Sequence, residues 1–366
     1  MNARATRLLL TLTLMLAGWP TAATAQDVPT PRYVQTPTAD IAKGKRLADV
    51  MLCSMCHSPM TLEGGLQMFN ESLRLTGGIK VVAPPDGSFF SKNLTPDPLT
   101  GIGNWSFDEL ARAITAGIGR DGRGLRVMPS HYYRDIGNGD LNALIGYLRS
   151  RPPVKKAIPA NIEMAGADKL AAGLRLVVPF MDWPSQDWYY GDFRADTTAP
   201  PSPRPPPRPA PQTHEPLVVQ PTRSSPEIEQ GKHLVTVAAC AFCHTPVGLR
   251  GQSQDLALTG GFKVVDPVCG TVFSKNLTPD VETGLGAWTD DEIARAIRHG
   301  VARDKRVLCP TIMPWQAYGQ FTDDEVKAVV AYLRAIPPVK RRIPDTIPST
   351  GAEPKFQKFT LGDSAK

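Results

Sequence analysis

The second half of this 366-residue chain repeats the first, and no other feature constrains its fold as strongly. The shared motifs keep their order at offsets of 183 to 187 positions, so the copies differ only by short insertions or deletions. Such self-similarity over more than 100 residues predicts two homologous domains. The matching segments are 53–57 with 240–244, 75–82 with 258–265, 91–97 with 274–280, 100–105 with 283–288 and 147–154 with 332–339.

Each copy carries the signals of a mostly α fold. We expect helices over residues 40–51 and 227–237, each leading into the shared pentapeptide. A Pro-Pro pair stops the last helix of each copy, because proline cannot continue a helix. Further signals are the capping boxes Ser106/Glu109, Thr289/Glu292 and Thr322/Glu325, a weaker start at Asn138, and the helix-ending glycines Gly117 and Gly300.

Composition divides the chain into six parts. We predict a signal peptide over 1–25 and domains over 33–154 and 227–348. A partly ordered segment over 155–196 follows the first domain, and residues 349–366 form a C-terminal tail. Proline dominates residues 197–226, which predicts a semi-rigid, extended linker between the two tandem domains.

The N-terminus has the pattern of a secretory signal peptide. Arg4 and Arg7 precede an apolar stretch of about ten residues, and a small-x-small site follows at 23–25. The apolar stretch is shorter than the ~20 residues that a membrane span needs. The sequence therefore predicts export to the periplasm, with a mature start near Gln26 and at most peripheral membrane association. A signal retained as an anchor is the alternative.

The repeated pentapeptide, Cys-x-x-Cys-His, has the spacing of a covalent haem attachment site. Two thiols one helical turn apart can both bond to one porphyrin, and the adjoining histidine then reaches the iron as an axial ligand. Half of a zinc site and a dithiol redox couple are the alternatives. Two haem c groups are predicted, bound covalently by Cys53 and Cys56 and by Cys240 and Cys243, with His57 and His244 as iron ligands.

Each copy also offers a second axial ligand. Met128 and Met313 both precede a proline and lie at equivalent places after the middle helix. Thioether ligation would fill the opposite face of each iron and raise its reduction potential relative to a second histidine. Methionine also fills gaps in cores, which is the competing interpretation. His131 is a rival ligand in the first copy, whereas Gln316 stands there in the second.

Two further pairs of equivalent residues are candidates for the haem edge. Trp105 and Trp288 can donate an indole N–H to a propionate, and Asn93 and Asn276 can orient the methionine loops. Purely structural roles in turns and core are the alternative.

Cys269 and Cys309 occur in the second copy alone. An exported protein favours a disulfide between them, which would stiffen the loop before Met313. A cysteine that replaces Met313 as iron ligand is the other possibility.

The net charge does not indicate a nucleic-acid partner. The formal +6 falls to +4 without Arg4 and Arg7, and two haems would add four propionates. A net positive charge of this size, scattered along the chain, is too small to indicate binding of nucleic acid.

Taken together, the motifs resemble the cytochrome c subunits of bacterial periplasmic alcohol, gluconate and molybdenum-containing aldehyde dehydrogenases. The shared motifs are Asn-Leu-Thr-Pro-Asp, Thr-Gly-x-Gly-x-Trp, Met-Pro, and Tyr-Leu-Arg with Pro-Pro-Val. The resemblance implies two tandem class I cytochrome c domains in an electron-transfer protein that is not itself an enzyme. It also implies a periplasmic dehydrogenase as electron donor and a terminal oxidase or another cytochrome as acceptor. A dihaem peroxidase or thiosulfate-oxidising enzyme, with one open or unusually ligated haem, is the alternative function.

Overall fold

The computed structural model describes residues 33–63, 66–83, 87–125, 127–163, 215–248, 251–266 and 269–348. The predicted signal peptide, most of the segment after the first domain, the first part of the linker and the C-terminal tail lie outside the described residues. Within the described ranges the chain is rich in helices and carries small antiparallel sheets.

Residues 33–163 hold the first set of elements. Strands β1 and β2 form one antiparallel pair, and β3, β4 and β5 form a three-stranded sheet. Short 3-10 helices lie at Glu71–Leu73 and Ser130–Tyr133. In chain order the elements are α1 Ile41–Val50, α2 Cys53–His57, β1 Met60–Glu63, β2 Leu66–Phe69, β3 Lys80–Ala83, β4 Gly87–Phe90, α3 Phe107–Ala116, α4 Asn138–Ser150 and β5 Ile162–Glu163.

Residues 215–348 repeat that order with two differences: a short α-helix replaces the second 3-10 helix, and a single bridge between Thr271 and Ile347 replaces the pairing of β4 with β5. Strands pair as β6 with β7 and β8 with β9, both antiparallel. The elements are α5 Pro226–Val237, α6 Cys240–Cys243, β6 Val247–Gly248, β7 Gly251–Gln252, β8 Lys263–Asp266, β9 Gly270–Phe273, α7 Asp290–His299, α8 Trp315–Tyr318 and α9 Asp323–Ala335.

The helix ends follow the predicted signals. Helices α3, α7 and α9 each begin with a capping box in which a Ser or Thr hydroxyl and a Glu carboxylate satisfy each other's backbone N–H. Helix α4 begins at Asn138 without a side-chain cap, in agreement with its weaker signal. Gly117 and Gly300 end α3 and α7, both at φ +65°, a backbone conformation that favours glycine.

One helix crossing at a glycine organises each half. Helix α1 packs on α4 at Gly44, where a Cβ atom would lie 1.9 Å from the Ala143 carbonyl oxygen. Helix α5 packs on α9 at Gly231 in the same way, 1.9 Å from the Ala328 oxygen. Since only a hydrogen fits at these two positions, the glycines set how closely the helices approach.

The hairpins were not predicted from the sequence. The segments between the pentapeptide and the middle helix read as long Gly- and Pro-rich loops, yet β1 to β4 and their counterparts β6 to β9 lie there. Each of these strands has two to four residues, too few for an alternating pattern to stand out. The mostly α prediction therefore holds for the helices and omits these small sheets.

The two halves contact each other reciprocally. The 3-10 helix Ser130–Tyr133 contacts α5, and its counterpart α8 contacts α1. A single cluster of buried apolar side chains includes residues of both halves. Across the same boundary, His233 Nε2 lies 3.2 Å from Asp140 Oδ2. Among the helices that the structure describes, none is both long and apolar enough to cross a membrane.

Candidate haem-binding sites

Each pentapeptide begins a short helix after a sharp turn of the backbone. Leu52 precedes α2 at φ 60°, and Ala239 precedes α6 at φ 52°. Non-glycine residues adopt this left-handed conformation at a cost, and such positions cluster at functional sites. The turn redirects the chain at the end of α1 and α5, so both cysteines of each pair start from the same short helix.

Both histidines of the pentapeptides are oriented by a backbone carbonyl. His57 Nδ1 lies 2.7 Å from the Lys92 oxygen, and His244 Nδ1 lies 2.7 Å from the Lys275 oxygen. A carbonyl oxygen only accepts, so Nδ1 carries the proton and Nε2 keeps its lone pair for a metal. Burial lowers the pKa of both imidazoles, which favours the neutral form that ligation requires.

Glycine-containing loops hold the histidine segments in place. Gly77 N donates to the His57 oxygen and Gly260 N to the His244 oxygen, both at 2.7 Å. A Cβ at Gly77 would lie 2.5 Å from the carbonyl carbon of Lys92. The loop can therefore reach the histidine and the lysine carbonyl together only with glycine at this position.

None of the four pentapeptide cysteines is paired in a disulfide. Burial is the main cause that raises the pKa of Cys53 and Cys240 to about 12 and that of Cys243 to about 11. Reactive dithiols depend on lowered thiol pKa values, so these surroundings disfavour the dithiol alternative.

The single-zinc alternative is not supported either. Within the described ranges, the one group of three or more potential metal-ligating side chains is Asp266 with Cys269 and Cys309. Those two cysteines form a disulfide. The two pentapeptides are therefore not gathered into a common four-ligand site.

The two methionine loops have matching backbone hydrogen bonds. Leu125 N donates to the Gly117 oxygen and Leu308 N to the Gly300 oxygen, each at 2.6 Å. At the methionines themselves, the Met128 oxygen accepts from Ser130 N and the Met313 oxygen from Trp315 N. Both methionine side chains are partly buried against the core.

The same four partly buried side chains pack against the core at equivalent positions in the two halves. They are Cys53, Leu94, Trp105 and Met128 in the first half and Cys240, Leu277, Trp288 and Met313 in the second. Thiols, a neutral imidazole, a thioether and apolar neighbours match a covalently attached porphyrin. The residues present therefore fit haem c, although the pairing of each methionine with an iron stays a prediction.

Asn93 and Asn276 have the structural role that was the alternative interpretation. Asn93 is 2% exposed; its Nδ2 donates to Thr100 Oγ1 and the Val154 oxygen, while its Oδ1 accepts from Thr95. Asn276 repeats this pattern with Thr283, Val339 and Thr278. These bonds occupy the amides fully, so they fasten the central loop to the segment after the last helix and do not orient the methionine loops.

The predicted disulfide between Cys269 and Cys309 is confirmed. It joins the turn before β9 to the methionine loop, where Met313 N donates to the Cys309 oxygen at 2.9 Å. Asp266 supports both ends, since its carboxylate accepts from Cys269 N and from Thr311 Oγ1, each at 2.8 Å.

Sequence reasoning missed a buried ion pair beside the first pentapeptide. Asp49 pairs with Arg74, and each is 6% exposed. A comparison of the two copies could have indicated this pair, because the uncharged residues Thr236 and Ala257 occupy the equivalent positions in the second copy.

Known proteins match the chain along most of its length. The family described as cytochrome C oxidase, cbb3-type, subunit III matches residues 226–333. The cytochrome c subunit of alcohol dehydrogenase (quinone) from Gluconacetobacter polyoxogenes is 31% identical over 317 residues, covering 83% of this chain and 58% of that protein. The gluconate 2-dehydrogenase cytochrome c subunit of Pantoea cypripedii is 28% identical over 341 residues, covering 89% of this chain and 64% of that protein.

A third known protein is similar to a shorter part of the chain. A diheme cytochrome c-type protein of Cereibacter sphaeroides is 28% identical over 153 residues, covering 40% of this chain and 50% of that protein. The chain spans less than two thirds of the length of the dehydrogenase subunits that it matches. Motifs, site geometry and these similarities together identify the chain as a homologue of the cytochrome c subunits of bacterial dehydrogenases.

Proposed function

We propose that the chain is a periplasmic dihaem cytochrome c built from two tandem class I domains joined by the proline-rich linker. It receives electrons from a periplasmic dehydrogenase and passes them to a terminal oxidase or another cytochrome. The observation that carries this proposal is the equivalent setting of His57 and His244. In each half a backbone carbonyl fixes the tautomer that leaves the Nε2 lone pair of the pentapeptide histidine free to bind a metal.

The protein residues would then have distinct parts. Cys53 and Cys56, with Cys240 and Cys243, bind the porphyrins; His57 and His244, with Met128 and Met313, bind the irons. The cofactor supplies one-electron chemistry, and the chain supplies orientation, exclusion of water and tuning. With a histidine and a methionine bound to each iron, no position would remain open for a substrate, which would suit a carrier.

Holoprotein produced by export into a haem-attaching periplasm tests the proposal. We expect two covalent haems per chain by mass spectrometry and by alkaline pyridine spectra. Magnetic circular dichroism of the oxidised form should show methionine-to-iron charge transfer at an intensity corresponding to two His/Met haems.

Other results would overturn parts of this function. One haem or none per chain would remove the dihaem proposal. Binding of carbon monoxide by the ferrous protein at neutral pH would favour the enzyme alternative, because it requires an open face on an iron. Stopped-flow measurement of haem reduction by a co-purified dehydrogenase tests the electron donor. If the dehydrogenase does not reduce the haems, it is not the donor.

A further inference from the structure

A buried ion pair, flanked by two exposed charged side chains, lies beside the first pentapeptide. Asp49, the penultimate residue of α1, pairs with Arg74, and both are 6% exposed. Arg74 Nη1 also lies 2.7 Å from Glu71 Oε1, and Lys45 Nζ lies 3.3 Å from Asp49 Oδ2. Removing such charges from water costs several kcal/mol each, so a buried pair persists only where its partners satisfy it.

The group is connected directly to the haem-attachment helix. Ser54, the residue that follows Cys53, is 2% exposed, and its hydroxyl donates to Asp49 Oδ1 at 2.8 Å. The Asp49 charge also contributes to the raised pKa of Cys53, after burial and the Cys56 charge. Asp49 and its partner therefore lie within electrostatic range of the first attachment site.

The second half is neutral at the same places. Thr236, Ala241 and Ala257 replace Asp49, Ser54 and Arg74, and Gln254 replaces Glu71. Thr236 Oγ1 bonds back to the Lys232 oxygen at 2.8 Å, and both alanines are buried. Two sites with equivalent candidate ligands thus differ by a buried ion pair that only the first possesses.

We propose that the Asp49–Arg74 pair is a positioning and potential-setting element of the first haem site, and that it makes the two haems inequivalent. The inference rests on the proposed function, because it needs haem attached at Cys53 and Cys56. Through Ser54, Asp49 holds the attachment helix; through its charge, balanced by Arg74, it sets the local field.

Removing one charge of the pair should shift the reduction potential of the first haem, and the direction should depend on which charge is removed. A change in packing alone would not produce that dependence. An oxidised haem iron carries one more positive charge than a reduced one, so a nearby negative charge favours oxidation and a positive charge opposes it. Removal of the Arg74 charge should lower the potential of the first haem. Removal of the Asp49 charge should raise it.

Spectroelectrochemical titration of the holoprotein tests this, with Asp49→Asn and Arg74→Gln compared with wild type. One of the two redox components should move by about tenfold in its oxidised-to-reduced ratio at fixed potential, which is about 59 mV for one electron. It should move upward in Asp49→Asn and downward in Arg74→Gln, while the other component stays in place. Arg74→Lys, which keeps the charge, is the matched control and should shift neither component.

The double variant Asp49→Thr/Arg74→Ala gives the first site the residues of the second, and its shifted component should lie between those of the two single variants, because the two removals act in opposite directions. Shifts of the same sign in both single variants, or no shift, would overturn the inference. If Arg74→Gln does not fold, the sign in Asp49→Asn decides alone. A wild-type chain without covalent haem would instead refute the proposed function, so the two failures are distinguishable.

Discussion

At the scale of single residues, the backbone carbonyls of Lys92 and Lys275 orient the pentapeptide histidines, as hydrogen-bonded side chains do in many metal sites. Each accepts from the Nδ1–H of a pentapeptide histidine at 2.7 Å and so fixes the ring and its tautomer. Because the acceptor belongs to the main chain, no side-chain substitution at the lysine removes it. Axial ligation is therefore most directly tested at the methionines.

Replacement of Met128 or Met313 by alanine should open one face of one iron. We expect each single variant to lose about half of the methionine-to-iron charge-transfer intensity and to bind carbon monoxide in the ferrous state, since a thioether is replaced by a methyl group. Absorption and magnetic circular dichroism spectra of the holoprotein measure both effects.

Met55→Leu, inside the first pentapeptide, is the matched control and should leave the spectra unchanged. Full charge-transfer intensity in Met128→Ala would mean that another residue binds the first iron. His131, whose ring centroid lies 4.3 Å from that of Tyr132, is then the first to replace.

Local spacing was enough to predict some residues and not others. The pentapeptides are recognisable as a short motif of characteristic residue types. Cys269 and Cys309 are recognisable because they occur in the second copy only. Asn93 reaches Val154, 61 positions away, and Asp49 reaches Arg74, 25 positions away, and neither contact leaves a local pattern. Such pairings depend on tertiary structure, so the sequence named Asn93 but left open whether its role was structural.

At the scale of elements, the crossing of α1 and α4 tolerates no side chain at Gly44. Gly44→Ala should lower the free energy of unfolding by about 1–3 kcal/mol or more, because the new Cβ meets the Ala143 backbone and Tyr147 Cβ. Denaturant titration measures the loss.

Gly139→Ala is the control within α4, since nothing lies within 4 Å of its Cβ position. It should raise stability by up to about 1 kcal/mol, because alanine favours a helix over glycine. Equal stability of the two variants would contradict the packing described for α1 and α4.

The disulfide gives the second methionine loop a support that the first lacks. Cys269→Ser/Cys309→Ser should lower the free energy of unfolding by about 2–4 kcal/mol, since the bond closes a loop across 40 positions. The loss should appear first at Met313, whose N–H bonds to the Cys309 oxygen.

Thermal melts followed through the charge-transfer band would show this order. In the variant, half of the band should disappear at a lower temperature than the other half. A band that declines in one step at the wild-type temperature would show that the disulfide does not support this ligand loop.

At the scale of the whole molecule, the two halves contact each other through equivalent segments. Tyr133 and Tyr318 are counterparts, and each donates its hydroxyl to the carbonyl two residues before the pentapeptide of its own half, that of Met51 at 2.7 Å and that of Ala238 at 3.0 Å. The helices that carry them reach into the opposite half. The boundary between the halves is therefore built from the same segments that support the two attachment sites.

Tyr132 breaks this symmetry, because Ala317 is its counterpart. It is 2% exposed, and the 3-10 helix that carries it contacts α5 of the second half. Burial raises the pKa of its hydroxyl, and the Cys243 and Cys240 charges add to the effect, which places the hydroxyl near the second attachment pair. A residue of the first half thus lies within electrostatic range of the second attachment pair.

Tyr132→Ala should consequently loosen the second half as well as the first. The loss of a buried aromatic side chain costs about 3–5 kcal/mol, and part of that cost falls on α5 and α6 across the boundary. Hydrogen exchange followed by mass spectrometry should show faster exchange in peptides covering 226–243 as well as in those around 130–133. Tyr132→Phe keeps the ring and should leave exchange in 226–243 close to wild type. If Tyr132→Ala speeds exchange only within residues 33–163, the two halves are stabilised independently and the boundary does not couple the sites.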